Sequence, residues 1–319
     1  MNKELISVVI PTYNRQIYLL EALESVFAQS YPNIEIIVVD DGSDDQTVEV
    51  LQPLVKTKRL RLLRQNHVGV SAARNLGVDK AQAKYIAFLD SDDLFLPEKL
   101  TKQMLLFESN PHLGFVHSNF SKFDNHGNDL GIRDLTRFRG KVYPWLLQEW
   151  SALMAPPTIL IRKEVYQEVG GLDKSISWGE DIDLYFRVTR YFEIDLIPEV
   201  LTRVRVHSGS VSAGKLGSAE SFHRVLEKAV SADSNLSKGF INKAFSKMYV
   251  NKSQNLLGEG NSSEMQEARR LAFIALSYRP LEIAAWMAWI ASILPIAIRR
   301  KLASIVRRIR YPASHSQRL

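Results

Sequence analysis

Hydrophobic and polar positions along the first hundred residues fall into alternating blocks that suit buried strands and amphipathic helices. Short β-branched runs bounded by turn residues predict strands of a covered sheet, and stretches with an apolar residue every three or four positions predict helices. Repeated strand–helix units indicate an α/β fold with a mainly parallel sheet flanked by helices, and a ligand site at the carboxyl ends of the strands. The predicted strands are 6–11, 34–43 (which runs into a turn), 59–65 and 85–90, and the predicted helices are 17–30, 70–81 and one that begins near Pro97.

Beyond residue 110 the pattern becomes less regular. It predicts a strand over 115–123, a strand and then a helix over 156–171, and a helix over 180–192. From 216 onward it is helical and polar, with no strand–helix repeat. We therefore expect an α/β domain over 1–215 whose two halves, 1–110 and 111–215, divide near residue 110, a helical extension over 216–280, and a separate C-terminal segment over 281–319.

Composition excludes several classes of protein. With 319 residues, 45% of them hydrophobic and 24% charged, the chain is typical of a globular protein rather than a disordered one. It contains no cysteine, which excludes disulfides, zinc fingers and thiol catalysis and agrees with a reducing compartment. The start, MNKEL, is charged and no apolar run follows that is long enough for a signal peptide. We therefore expect a cytoplasmic protein.

The net charge of +6 is concentrated at one end of the chain. Residues 299–319 contain seven of the 41 basic residues and none of the 35 acidic ones, so the rest of the chain is almost neutral. This distribution argues against nucleic acid as a partner. The preceding 283–298 have no charged residue, and a helix of that length is about 24 Å long, short of the roughly 30 Å hydrocarbon core. We expect a helix on an anionic membrane surface; the alternatives are a helix packed against the protein and a single membrane span.

Carboxylates cluster at the end of the fourth predicted strand, where Asp90, Asp92 and Asp93 lie within the sequence DSDD. Neighbouring carboxylates repel each other unless a cation or hydrogen bonds compensate. Their oxygens suit Mg²⁺ or Mn²⁺, which would leave coordination positions for phosphate. The alternative is a solvated turn in which one aspartate caps the next helix.

Four other groups have both a chemical and a structural interpretation. An aspartate of the DDGS turn could accept a hydrogen bond from a base or a ribose, or form an Asx turn. Tyr13 could stack on a base or be a surface tyrosine. The acids of WGED could include a general base or only favour the helix dipole. Arg205 and His207 could contact a diphosphate or metal, or be structural.

The order of these motifs is more specific than any one of them. PTYNR, VVDDGS, FLDSDD, GED and RVHSGSVS follow one another over residues 5–212, about two thirds of the chain. In this order and spacing they resemble glycosyltransferase family 2, whose members are inverting enzymes with the GT-A fold. The resemblance implies that 1–110 binds the nucleotide, that 111–215 binds the acceptor, and that the site residues have the following roles. The base is cradled by Pro11, Thr12, Tyr13 and Asn14 and contacted by Asp41, while Asp40 holds the loop and Arg64, Arg74 and Asn75 lie near the nucleotide. The DXD motif consists of Asp90, Ser91 and Asp92, with Asp92 the stronger metal ligand and Asp93 behind it, and His207 approaches the metal or diphosphate. The catalytic base is Asp181, and the acceptor side also includes Glu180, Trp178 and Gly179.

The resemblance also implies the reaction. We expect a sugar to pass from a nucleotide-sugar, with a UDP-sugar favoured, to an acceptor hydroxyl with inversion and with help from Mg²⁺ or Mn²⁺. The membrane-seeking end favours a glycan or lipid-linked acceptor, and assembly of a bacterial cell-surface polysaccharide on the inner face of the cell membrane. Two alternatives stay open: a degenerate, non-catalytic GT-A scaffold or partner subunit, and a sugar-nucleotide pyrophosphorylase, although the chain lacks the glycine-rich basic loop of the latter.

Overall fold

Four parallel strands form the N-terminal part of the sheet. They are β1 (Ile6–Thr12), β2 (Ile34–Asp40), β3 (Arg61–Arg64) and β4 (Tyr85–Phe88), in the order β3-β2-β1-β4. All seven residues of β1 are buried, which explains why its sequence is a continuous apolar run rather than an alternating one. The four strands predicted from the hydrophobic pattern are confirmed.

Three helices connect these four strands in turn, and a fourth follows them. They are α1 (Gln16–Phe27), α2 (Thr47–Lys56), α3 (Val70–Lys80) and α4 (Lys99–Ser109), and the pattern predicts all of them except α2. The close approach of α3 to β1 explains a glycine, because a Cβ at Gly77 would lie 2.3 Å from Cγ1 of Val9. Leu19, Leu23 and Val26 of α1 face the core.

The second part of the sheet is mixed rather than parallel. It contains β5 (Leu94–Phe95), β6 (Phe115–Phe123), β7 (Asp129–Arg133), β8 (Leu160–Arg162) and β9 (Ile194–Arg205). Strand β8 joins β4 to β6 and is antiparallel to both, whereas β6 and β9 run parallel. The order continues β4-β8-β6-β9-β5, and β7 lies outside this order and pairs with β6 in the antiparallel direction. The helices of this part are α5 (Lys163–Glu168) and α6 (Glu180–Tyr191).

The computed structural model describes residues 3–135, 138–149, 154–207, 219–257, 262–295 and 298. The chain divides into two compact units, one made of 1–144 and 152–217 and the other of 145–151 and 218–319. The first contains the sheet. The second contains a short 3₁₀ helix (Trp145–Gln148) and the helices α7 (Ala219–Ser231), α8 (Lys238–Leu256), α9 (Ser262–Tyr278) and α10 (Ile283–Ala291). The domain boundaries at 215 and 281 stay a prediction.

Helix α10 covers the first nine residues of the apolar segment 283–298. Ala285, Ala288 and Ala291 are buried, whereas Ile283, Trp286 and Ile290 are exposed. Within the described part of the chain, no helix has the length and hydropathy needed to cross a membrane. The basic residues 299–319, and residues 208–212 of the RVHSGSVS motif, lie outside the described residues.

Candidate active site

Register in the parallel strands brings the first two polar loops together. Thr12 at the end of β1 pairs with Asp40 at the end of β2, and Asp40 pairs in turn with Arg64 at the end of β3. Hydrogen bonds then join the loops, because Ser43 Oγ accepts from the Asn14 amide and Asn14 Oδ1 accepts from the Asp44 amide. The loop residues predicted to cradle a base therefore lie side by side, after buried strands that fix them.

The adjacent carboxylates of Asp40 and Asp41 hold different segments. Asp40 is fully buried and accepts hydrogen bonds from the Arg64 Nε, at 3.1 Å, and from the Ser43 amide. Asp41 accepts from Gln65 Nε2 and from the amides of Val68 and Gly69, at 2.6 to 2.9 Å. Both aspartates thus fix loops at this edge of the sheet. A contact between Asp41 and a base stays a prediction.

An open aromatic pair lies at the same edge. The Tyr13 ring is 40% exposed and its centroid is 4.1 Å from that of His67, which has a positive φ of 43°. Exposed flat rings can stack on the faces of bases. The Thr12 hydroxyl is buried here, and no described residue hydrogen bonds to it. Such an orphaned group is costly without a partner, and a bound ligand or water could supply one.

The centre of the site is a buried arginine between two acidic motifs. Arg74, on α3, donates from Nη2 to Asp90 at 2.6 Å and from Nη1 to Glu180 at 3.0 Å. Its side chain is only 5% exposed. These ion pairs bring the DSDD turn and the start of α6 together, although they are far apart in sequence. The carboxylates hold the Arg74 pKa above its usual value despite the burial, so this cation is permanent.

Asp181 lies in the first turn of α6, next to this cluster. Gly179 precedes the helix with φ of +85°, in the left-handed region that favours glycine, and so lets the chain turn sharply into α6. Burial, with the negative charge of Glu180 adding to it, raises the pKa of Asp181 to about 7, while Arg74 opposes the shift. A carboxyl with such a pKa can accept a proton near neutral pH.

The other carboxylates of DSDD contact the end of β9. Asp92 Oδ2 is 3.0 Å from His207 Nε2. Asp93 is buried, which raises its pKa well above the usual value, and it accepts a hydrogen bond from the Arg205 amide. Arg205 also donates to the Asp92 carbonyl and to Glu21 of α1. Asp92 and His207 thus lie side by side, and their predicted role at a metal or diphosphate stays a prediction.

The donor set suits a metal ion only in part. Among the residues the structure describes, no three acidic or imidazole groups converge as a preformed metal site. Asp92 and His207 offer one carboxylate and one imidazole, and Asp90 is paired with Arg74. Two protein ligands, completed by phosphate oxygens and water, are a usual way to hold Mg²⁺. The residues therefore fit a metal that binds together with a diphosphate, and Asp90, Asp92 and His207 as its ligands stay predictions.

The remaining predicted site residues have structural contacts or partial exposure. Asn75 bonds the backbone of Leu172 through both Oδ1 and Nδ2, and also the Tyr166 hydroxyl, so its amide fastens α3 to the segment after α5. Ser91 is buried and Trp178 is partly exposed.

Three residues at this site lie outside the sequence motifs. They are His67, which pairs with Tyr13; Glu21, which pairs with Arg205; and Tyr185, a buried residue on α6. The Tyr185 hydroxyl has no hydrogen-bond partner among the described residues, and nearby Asp181 and Glu180 add to the effect of burial in raising its pKa. Helical spacing places Tyr185 one turn after Asp181, and this spacing is the signal that could have identified it.

Comparisons with known proteins agree with this architecture. An uncharacterized glycosyltransferase of Rickettsia felis is 37% identical over 205 residues, which are 64% of this chain and 33% of that protein. The chain thus matches only about a third of the length of this relative. S. aureus TarS 1-349 in complex with UDP-GlcNAc has a TM-score of 0.65 at 19% identity, over 95% of this chain and 92% of that one. Mannosyltransferase PcManGT from Pyrobaculum calidifontis, in complex with GDP-Man and Mn²⁺, has a TM-score of 0.60 at 18% identity, over 97% and 88%.

These solved structures establish the GT-A fold. The family model for glycosyl transferase family 2 matches residues 7–170, just over half of the chain. That range contains β1 to β4 and the PTYNR, DDGS and DSDD motifs. The chain belongs to glycosyltransferase family 2.

Proposed function

We propose that the protein transfers a sugar from a nucleotide-sugar to an acceptor hydroxyl with inversion. The observation that carries the proposal is the Arg74 cluster, in which one guanidinium pairs with Asp90 of the DSDD turn and with Glu180 beside Asp181. A carboxyl with a raised pKa is thereby held close to the predicted donor site. A single displacement with inversion needs the base on the side of the anomeric carbon opposite the leaving diphosphate, so the sugar would lie between Asp181 and the diphosphate.

In the proposed reaction Asp181 removes the proton from the acceptor hydroxyl. The hydroxyl oxygen forms a bond to the anomeric carbon as the bond from that carbon to the diphosphate oxygen breaks, and the nucleoside diphosphate leaves. General-base catalysis of this kind contributes about 10²–10⁴-fold to the rate. Asp92 and His207 would hold Mg²⁺ or Mn²⁺, which would supply neutralisation of the diphosphate charge. Arg74 orients Asp90 and Glu180 and keeps the cluster from accumulating uncompensated negative charge.

The donor is proposed to be a UDP-sugar. The structural neighbours bind UDP-GlcNAc and GDP-Man, so a nucleoside diphosphate sugar is the shared chemistry. The open Tyr13–His67 pair offers a flat surface for a base. The basic C-terminal segment supports a glycan or lipid-linked acceptor, presented at the inner face of the cell membrane during assembly of a cell-surface polysaccharide.

Binding and transfer should be measured separately. UDP-, GDP- and dTDP-sugars are screened by calorimetry with and without Mn²⁺, and release of the nucleoside diphosphate is followed with candidate acceptors. We expect Asp181→Asn to bind the donor like the wild type and to lose transfer. Full transfer by this variant would overturn the role of Asp181. Donor binding by the wild type with neither transfer nor hydrolysis would favour a non-catalytic scaffold instead. The configuration of the new linkage, read by NMR, tests inversion.

A further inference from the structure

Helix α10 packs on its neighbours through small side chains. Ala285, Ala288 and Ala291 are at most 8% exposed, and the last two belong to an apolar cluster with Ala268 and Ala272 of α9. They recur every three residues and so form one face of the helix. At the end of the helix, Arg269 of α9 donates hydrogen bonds to the hydroxyl and carbonyl of Ser292. The alanine face is therefore the one that belongs to the folded unit.

The opposite face of α10 carries large apolar side chains. Ile283, Trp286 and Ile290 of the helix, and Ile293 in the turn after it, are between 46% and 74% exposed and recur at spacings of three, four and three. We call these four residues the outer face of α10. Helices of soluble proteins usually have the reverse arrangement, with large apolar residues inside and polar ones outside. The polar atom of the Trp286 indole donates to the Pro280 carbonyl, which leaves the ring as an apolar surface.

The charge around this face restricts what can bind to it. Residues 283–298 include no charged side chain, and the next twelve residues contain six basic side chains and no acid. A partner must accept apolar groups and cations at adjacent points. A second copy of the chain would add the same excess of positive charge, and repulsion between like charges opposes such a pairing. An anionic bilayer offers hydrocarbon beneath a layer of negative headgroups, and tryptophan is enriched at that interface.

We propose that the outer face of α10 binds the surface of a membrane that contains anionic phospholipid, with the helix parallel to the membrane plane. Nine helical residues span about 14 Å, less than half of the hydrocarbon core, so insertion is shallow. The exposed isoleucines and Trp286 enter the boundary between headgroups and acyl chains, and the positive charge of the sequence that follows strengthens attraction to anionic lipid. The apolar outer face and the basic sequence after it each bind a membrane weakly, and together they give the two signals that stable peripheral anchoring requires. This inference concerns location and goes beyond the proposed reaction.

Vesicle flotation of the full chain tests the proposal. Vesicles of phosphatidylcholine alone are compared with vesicles that also contain phosphatidylglycerol. We expect the wild type to float with the anionic vesicles and to be released by high salt. The double variant Ile283→Ser/Ile290→Ser should bind the anionic vesicles at least about tenfold more weakly than the wild type. Ile132→Ser removes an isoleucine of β7 that is 67% exposed, and should bind like the wild type.

Two further readouts locate the contact. Brominated acyl chains in anionic vesicles should quench the tryptophan fluorescence of the wild type, and Trp286→Phe should lose most of that quenching. Sedimentation of the protein without lipid tests whether the outer face binds a second copy. Unchanged flotation of the double variant, absence of wild-type flotation, or a dimer that the double variant dissociates would each overturn the proposal. Nucleotide-sugar turnover in solution should be equal in the wild type and in Ile283→Ser/Ile290→Ser, so failure of the membrane proposal would not affect the proposed reaction.

Discussion

Replacing Glu180 by glutamine should shift the pH dependence of the reaction. Glu180 contacts Arg74 at 3.0 Å, and its negative charge is the second cause, after burial, of the raised pKa of Asp181. Glutamine keeps an oxygen that can accept the hydrogen bond from Arg74 but removes the charge. The variant therefore separates the electrostatic effect of Glu180 on Asp181 from its contact with Arg74.

The size of the effect follows from the pKa of about 7 for Asp181. Only about a tenth of the free wild-type enzyme then has an ionised base at pH 6, and about nine tenths has one at pH 8, so kcat/KM should rise about tenfold between these values. Loss of a neighbouring negative charge commonly lowers a carboxyl pKa by roughly one unit. In Glu180→Gln about half of the base would be ionised at pH 6. When each kcat/KM is expressed as a fraction of its own high-pH plateau, the variant should therefore be roughly fivefold higher than the wild type at pH 6.

Initial rates of nucleoside diphosphate release at low donor concentration, measured from about pH 5 to about pH 9, give kcat/KM. His207→Asn removes the imidazole of the site and is the matched control, because the acidic limb of its profile should stay in place. A wild-type profile that is flat across neutral pH would refute the assignment of Asp181 as the base. An unmoved limb in Glu180→Gln would refute the electrostatic coupling between the two carboxyls.

Three other predictions concern binding and stability. Asp92→Asn should weaken binding of the nucleoside diphosphate when Mn²⁺ is present, and calorimetry in EDTA should show no difference from the wild type. Asn75→Ala should lower the free energy of unfolding by about 2 kcal/mol in urea titrations, because it leaves the buried amide of Leu172 without its partner. Asp181→Asn should raise the melting temperature at pH 8 but not at pH 4. A carboxyl with a raised pKa in the folded state destabilises the folded protein as the pH rises from the pKa of the unfolded state through that of the folded state. The uncharged asparagine side chain of the variant has no such effect. Equal shifts of the melting temperature at both pH values would contradict this account.

Most of the parallel strands were predictable because consecutive residues in them are buried and therefore apolar. Every residue of β1 is buried, so the apolar run shows directly in the sequence. Helix α2 was missed, since Pro53 interrupts its interior and only two of its residues are fully buried. Strand β5 has two residues and β7 is exposed throughout, so neither has a burial pattern to detect. Strand β8 lies within the strand and helix predicted over 156–171, but its antiparallel orientation depends on pairing between distant segments, which a local pattern does not specify.

The site was predictable as a set of motifs but not as a network. Asp41, Asp92 and Asp181 stand out because acidic residues follow apolar strands or begin a helix. The partners of Arg74 are 16 and 106 residues away, and nothing in the local sequence indicates which carboxylates it joins. His67 has no motif of its own, and its place beside Tyr13 follows from the way Asp41 fixes the loop before α3.

The shared guanidinium of Arg74 implies that donor binding and base strength are coupled. Its fixed charge is divided between Asp90 and Glu180, and it also opposes the raised pKa of Asp181. If the donor engages Asp90, as the family resemblance implies, less of the Arg74 charge is compensated on that side and more acts on Glu180 and Asp181. The pKa of Asp181 should then fall once the donor is bound, so the acidic limb of kcat should lie at lower pH than that of kcat/KM. Coincident limbs would mean that Arg74 only fixes geometry. Separated limbs that become coincident in Arg74→Met would mean that the positive charge of Arg74 couples donor binding to the pKa of Asp181.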